Sequence, residues 1–182
     1  LYPVQKNVSQ LQEKLTNTLQ EHQLAYPSEL IQAIELMDIA KATEKAGQYT
    51  HAITYYQQAA GDFSKLLAHI ENLQNAKVEA TKVKNDYNDT LEKYALNSPD
   101  TQEADDLMAK ALASSDEGDT VLAISIYQQA QQSWLQLRDD LAREILALEV
   151  AEAKAIAEVK AAEEAKAAEE RKLANETKKA KQ

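Results

Sequence analysis

AITYYQQA at residues 52–59 returns as AISIYQQA at residues 123–130, 71 positions later. At the same offset Gly47 matches Gly118, and Phe63 is matched by Trp134, which keeps an aromatic side chain at that position. At an offset of 72 the first predicted helix aligns with the second half of the long central helix. Because self-similarity at a fixed period indicates a repeated structural unit, we interpret the chain as a duplication of a unit of about 71 residues.

The composition predicts an all-α protein. The 182-residue chain contains only three Gly and three Pro, aromatic residues make up 5% of it, and strong helix formers dominate. The net charge of −10 argues against a nucleic-acid partner, since such partners are held largely by clustered Lys and Arg. Cysteine is absent, which excludes disulfides and thiolate chemistry. No run of about 20 apolar residues predicts a membrane span.

Hydrophobic spacing and turn residues divide the chain into five predicted helices. Ser28 is the candidate N-cap of the second helix. Gly47 and Gly118 each end a helix and set the geometry of the following turn. A strong turn signal also lies in residues 97–100. The helices are predicted over about residues 3–25, 29–46, 49–97 and 101–117, and from residue 120 toward the C-terminus.

These helices predict an elongated helical repeat, in which two three-helix units share the long helix and a C-terminal helix projects from them. The predicted domains are residues 1–71, 72–142 and 143–182. Apolar residues in the long helix follow a heptad-like spacing. The last segment is nearly all Ala, Glu and Lys and lacks the Leu and Ile seam of a robust coiled coil, so we expect no stable homo-oligomer.

The two hairpins share a pattern of small residues, a turn glycine and a buried tyrosine that resembles the helix-turn-helix core of a tetratricopeptide repeat. The early tryptophan and the final proline of that family are missing, so tandem stacking of units is not expected. A three-helix unit is more similar to an MIT domain, and this resemblance implies capture of a partner's amphipathic helix in an interhelical groove. The residues that carry the pattern are Ala40, Gly47, Tyr49, Ala52, Tyr56 and Ala59, and again Ala111, Gly118, Ala123, Tyr127 and Ala130.

Residue types that could perform chemistry are scattered. His22, His51 and His69 show no metal-binding spacing, and we expect His22 to lie in the core or at its rim. No Glu is followed three positions later by His, which excludes a di-iron bundle site. We therefore predict no catalytic, cofactor-binding or metal-binding residue and assign no binding residue. Tyrosines 49, 55, 56, 87, 94 and 127 are expected to pack between helices, and the pairs Asp105/Asp106, Asp139/Asp140 and Glu163/Glu164 to lie on solvated faces.

We expect a non-catalytic helical module that acts in protein–protein interaction or as a spacer, as part of a larger protein or complex. Two alternatives are a ligand-sensing helical bundle of an extracytoplasmic receptor, and an accessory arm of a larger enzyme whose catalytic domain is not in this chain. The expected partner is a protein, with no cofactor and no membrane insertion. The sequence does not fix the compartment, although the missing cysteine and the start at Leu1 lean slightly toward an exported, periplasmic bacterial protein.

Overall fold

The computed structural model of the chain describes residues 1–97 and 100–179, except for the side chains of residues 174 and 176–179. Within these residues the chain forms helices and no strand, which confirms the predicted all-α class. Ser98 and Pro99, in the predicted turn, lie outside the described residues. The helices are α1 (Tyr2–Glu21), α2 (Ser28–Lys45), α3 (Tyr49–Tyr94), α4 (Gln102–Asp116) and α5 (Thr120–Lys179).

Two predicted helix boundaries were wrong. Helix α1 ends at Glu21 rather than near residue 25, because Gln23 turns left-handed with φ +53°. Ser28 is not the N-cap of α2 but its first residue. Pro27 is the N-cap, in an extended conformation without a side-chain cap, and the Ser28 hydroxyl donates instead to the Glu29 carboxylate at 3.2 Å.

Each of the first four helices ends in the same backbone arrangement. A residue within two positions of the helix end is left-handed. The N–H of the residue that follows it donates to a carbonyl five residues earlier, as in Leu24 N–H to Leu19 O at 2.9 Å and Asp119 N–H to Ser114 O at 2.9 Å. This Schellman motif satisfies carbonyls that the helix end would leave unpaired. The left-handed residues are Gln23 (φ +53°), Gly47 (φ +77°), Ala95 (φ +51°) and Gly118 (φ +84°).

A first core forms where α1 and α2 pack on the first half of α3. The alanines at the α2–α3 contact are fully buried. Because their side chains are small, the two helix backbones can approach closely. Larger side chains then fill the space around them, and burying each fully contributes about 1.5–3 kcal/mol. The buried residues are Val8, Leu15, Leu19, Leu30, Ala33, Met37, Ala40, Ala52, Tyr56, Ala59, Phe63, Leu66 and Ile70.

A second core joins α3, α4 and the start of α5. Its buried members are Leu73, Ala80, Ala111, Ala123 and Tyr127. Leu24, in the connection between α1 and α2, packs against both cores. The α4–α5 turn also meets this connection, because a Cβ built on Gly118 would lie 3.3 Å from the carbonyl oxygen of Tyr26. The same test at Gly47 finds no atom within 4 Å, so the two turns have different surroundings.

The chain divides into two compact units, Leu1–Leu137 and Arg138–Gln182. The first unit contains α1 to α4 and the beginning of α5, and the second contains the rest of α5. In the second unit Leu141 and Ile145 are buried, and every side chain from residue 146 to residue 173 is exposed. The division at residues 71/72 and 142/143, and the repeat arrangement itself, stay predictions.

Candidate functional site

The three histidines lie at separate places in the structure. His22 follows the last residue of α1, is exposed and lines a surface groove, so it does not lie in the core. His51 is exposed in the first turn of α3, and His69 is partly buried farther along the same helix. Among the residues that the structure describes, no group of three or more His, Asp or Glu side chains could hold a metal ion.

The paired carboxylates lie on helix surfaces, and three of them, Asp105, Asp139 and Asp140, form ion pairs. Asp105 accepts from the ammonium group of Lys84 at 2.5 Å and from the Thr101 hydroxyl at 3.1 Å. Asp139 pairs with Arg138 at 3.1 Å. Asp140 pairs in the same way with Arg143, and Glu163 and Glu164 are exposed on α5. A general acid needs a shielded carboxyl group, and these positions do not provide one.

Gln5, Glu44 and Tyr56 form a hydrogen-bonded trio where α1, α2 and α3 meet. The Tyr56 hydroxyl donates to Glu44 Oε2 at 3.1 Å. The side-chain amide of Gln5 donates to the Tyr56 hydroxyl at 3.3 Å and also to the Glu44 carboxylate. These side chains lie in a depression of about 660 Å³, the Tyr56 cleft, which is completed by Ser9, Met37, Lys41, Lys45 and Tyr49.

Burial raises the pKa of Tyr56 above its ordinary value of 10.0. The Gln5 amide works in the opposite direction by donating to the hydroxyl, and the Glu44 carboxylate raises the pKa again. Burial also raises the pKa of Tyr127, and the charge of Asp116 adds to that effect. Both hydroxyls are therefore held in the neutral form well into the alkaline range.

A second depression, the α1–α3 groove, has a volume of about 470 Å³. Its floor is apolar, with Ile70 buried and Leu67 partly buried. One rim carries Lys14 from α1 and His22 just after it, and the opposite rim carries Glu71 from α3. The remaining lining residues are Thr18, Ser64, Ala68, Gln74 and Asn75.

Two buried aromatic side chains, Tyr87 and Trp134, lie together in the Leu1–Leu137 unit. The rings of Tyr87 and Trp134 are 5.4 Å apart at their centroids and tilted by 55°. The Lys84 ammonium group, already paired with Asp105, lies 5.3 Å from the centre of the Trp134 ring, a distance at which a cation is attracted to the ring face. The Trp134 indole N–H is buried and has no acceptor among the described residues.

The tyrosines that the repeat aligns share their depth but not their neighbours. Tyr56 is 3% exposed and Tyr127 is 2% exposed. The hydroxyl of Tyr56 meets Glu44 and Gln5, whereas that of Tyr127 lies near Asp116. Not every tyrosine that was predicted to pack between helices is buried, since Tyr49 is 58% exposed and Tyr94 is 39% exposed at the two ends of α3.

Comparison with family models, with curated proteins and with solved structures finds no match to this chain. In the described part of the chain, no helix is both long enough and apolar enough to cross a membrane. Sequence reasoning did not find Gln5 or Glu44, because their meeting with Tyr56 depends on how three helices pack, and no local spacing in the sequence records it.

Proposed function

We propose that this chain is a non-catalytic protein-interaction module, in which the α1–α3 groove receives an amphipathic helix of a partner protein. The observation that carries the proposal is the combination of an apolar floor and a polar rim, which an amphipathic helix matches with its two faces. The partner helix would place acidic residues toward Lys14 and His22 and a basic residue toward Glu71.

The likeness to tetratricopeptide and MIT hairpins is part of the same proposal. This likeness builds on the internal duplication, which the left-handed turn residues support, because Gln23 and Ala95 are 72 positions apart while Gly47 and Gly118 are 71 apart, the two offsets of the sequence repeat. The aligned alanines also support the duplication, since Ala40, Ala52 and Ala59 and their counterparts Ala111, Ala123 and Ala130 are all fully buried.

The experiment pans a display library of amphipathic helical peptides against the full chain, and then maps each selected peptide by NMR on labelled protein. We expect shifts concentrated along the α1–α3 groove. Ala68→Glu, which places a charge in the groove, should weaken binding at least tenfold. Ala109→Glu, on the exposed surface of α4, is the matched control and should leave binding unchanged. Peptides that bind Ala68→Glu as tightly as the original chain would contradict the proposal.

A second candidate function, ligand sensing, is favoured by the Tyr56 cleft. Glu44 offers a carboxylate, Lys41 and Lys45 offer ammonium groups and Tyr49 an exposed ring around one depression, a set that suits a small zwitterion with an amino and a carboxyl group. A thermal-shift screen with amino acids and related small zwitterions tests it. A stabilising compound should lose its effect in Glu44→Gln and retain it in Ala68→Glu, and a compound that stabilises all three chains equally would not support sensing at this cleft.

A further inference from the structure

The C-terminal half of α5 has a strict six-residue charge period. Its core repeat reads Lys-Ala-Ala-Glu-Glu with one variable residue, as in residues 160–164 and 166–170. Each lysine of the period is followed four positions later by a glutamate, which is one helical turn away on the same face. The lysines are Lys154, Lys160, Lys166 and Lys172, and the glutamates are Glu158, Glu164, Glu170 and Glu176.

A period of six does not fit the helix, and this mismatch distributes the charges. One residue advances the helix by about 100°, so six residues advance it by about 600°, which places each ion pair about 120° away from the one before it. Three repeats, about five turns, carry the pairs once around the axis. A period of seven would instead keep the same residues close to one line and produce a seam for a second helix.

In the structure this helix is exposed to solvent on every side. All side chains from residue 146 to residue 173 are exposed, and Ile156 and Val159 are 62% and 60% exposed. The Lys154 ammonium group lies 4.0 Å from the Glu158 carboxylate. Lys166 lies 18 residues after Leu148, on the same line of the helix, and Glu152 lies on that face between them, so charges interrupt the one row of apolar residues that could pair.

The charge balance of this part of the chain differs from that of the rest. Residues 143–182 contain nine basic and nine acidic residues, so the net charge of −10 belongs entirely to residues 1–142. Opposite charges in equal number, alternating along the helix, support it by local ion pairs and give it no net attraction for a charged surface. Its alanines add high helix propensity without apolar bulk.

We propose that residues 154–179 are a self-supporting single helix that acts as a rigid spacer and pairs with no second chain. A helix exposed on all sides, with opposite charges spaced one turn apart, fits a solvent-exposed bridge. Its length, at 1.5 Å per residue, is about 38 Å. The proposal is independent of the α1–α3 groove, because no residue of the groove takes part in it.

The test uses the full chain, whose lack of cysteine allows specific labelling. Spin labels are attached in Ala155→Cys/Asn175→Cys, both at exposed positions, and the distance distribution is measured by pulsed electron resonance. A helix predicts a narrow backbone separation of about 30 Å. A flexible linker predicts a broad distribution centred near 25 Å, by a coil estimate of about 5–6 Å per square root of the residue number, and that result would overturn the proposal.

A singly labelled chain, Ala165→Cys, reports whether two tails meet. We expect no distance between molecules, and a defined one would overturn the proposal in favour of a coiled coil. The matched control is Glu152→Leu/Lys166→Leu, which restores the interrupted apolar row without changing the net charge. This variant should associate and give a distance between molecules. If it stays monomeric, the charge period is not what keeps tails apart, and the reasoning fails.

Discussion

Replacing Gly118 and Gly47 separately by alanine should measure how the α4–α5 turn docks on the α1–α2 connection. Both glycines are left-handed, with φ +84° and φ +77°. That conformation destabilises a non-glycine residue by about 1–2 kcal/mol. Replacing glycine by alanine also reduces the freedom of the unfolded chain, which stabilises the fold by about 0.4–1 kcal/mol. Gly47→Ala, whose new Cβ meets no atom within 4 Å, should therefore destabilise by about 0.5–1 kcal/mol.

Gly118→Ala carries an additional cost. Its Cβ would lie 3.3 Å from the Tyr26 carbonyl oxygen, so this backbone atom must shift slightly, while the Pro27 Cα at 3.6 Å is in ordinary contact. Pro27 is fully buried, so this movement disturbs a packed region. Overpacking costs about 1–3 kcal/mol, and we expect Gly118→Ala to be less stable than Gly47→Ala by about 1 kcal/mol or more.

Urea unfolding followed by the fluorescence of Trp134 is the assay, because this residue is the single tryptophan and lies buried in the Leu1–Leu137 unit. A difference of 1 kcal/mol corresponds to about 0.5 M in the midpoint for a slope of about 2 kcal/mol/M. Asparagine tolerates the left-handed region, so Gly118→Asn isolates the contact cost and Gly47→Asn should be close to neutral. Equal midpoints for Gly118→Ala and Gly47→Ala would refute the docking argument.

Gln23→Gly and Ala95→Gly, at the left-handed positions without glycine, should each stabilise by up to about 1 kcal/mol, measured in the same urea titration; a loss of stability would mean that side-chain contacts outweigh backbone strain. The raised pKa values of Tyr56 and Tyr127 mean that the folded chain retains their protons longer than the unfolded chain, so their contribution is complete below pH 10 and is lost as the pH rises through the folded pKa. Unfolding free energies between pH 8 and pH 11.5 should fall less steeply in Tyr56→Phe/Tyr127→Phe, and an unchanged slope would count against this linkage. Trp134→Phe should lower the free energy of unfolding, measured by circular dichroism, by less than the loss of about 1–3 kcal/mol expected from packing alone. The reason is that the substitution also removes a buried N–H without an acceptor. A loss above about 3 kcal/mol would show that the indole contributes more than packing.

The helices were predictable because their signals are local. Scarce glycine and proline, apolar spacing and the stops at Gly47 and Gly118 are properties of short windows of sequence. The end of α1 was missed because Gln23 adopts a left-handed conformation for which a glutamine gives no signal. The Ser28 cap was wrong because Pro27, one residue earlier, already fixes an extended backbone at the N-cap position.

The clefts could not be predicted in the same way, because each is made by side chains from different helices. Gln5 and Glu44 are 39 residues apart and meet only after α1 and α2 have packed on α3. The α1–α3 groove joins Lys14 to Glu71 across an even longer gap in sequence. Such sites depend on the rotation of each helix about its axis, and the apolar stripe fixes that rotation only approximately.

Between the two hairpins some buried positions keep their character, while the Tyr56 cleft does not recur. Phe63 and Trp134, for example, are both buried aromatic residues. The cleft position Glu44 aligns with Ser115, so the second hairpin cannot form the carboxylate contact made to Tyr56. The Tyr56 cleft is therefore built once, on α1 to α3. In the small-molecule screen, substitutions at Glu44 should change binding, whereas Ser115 is buried and offers no equivalent surface.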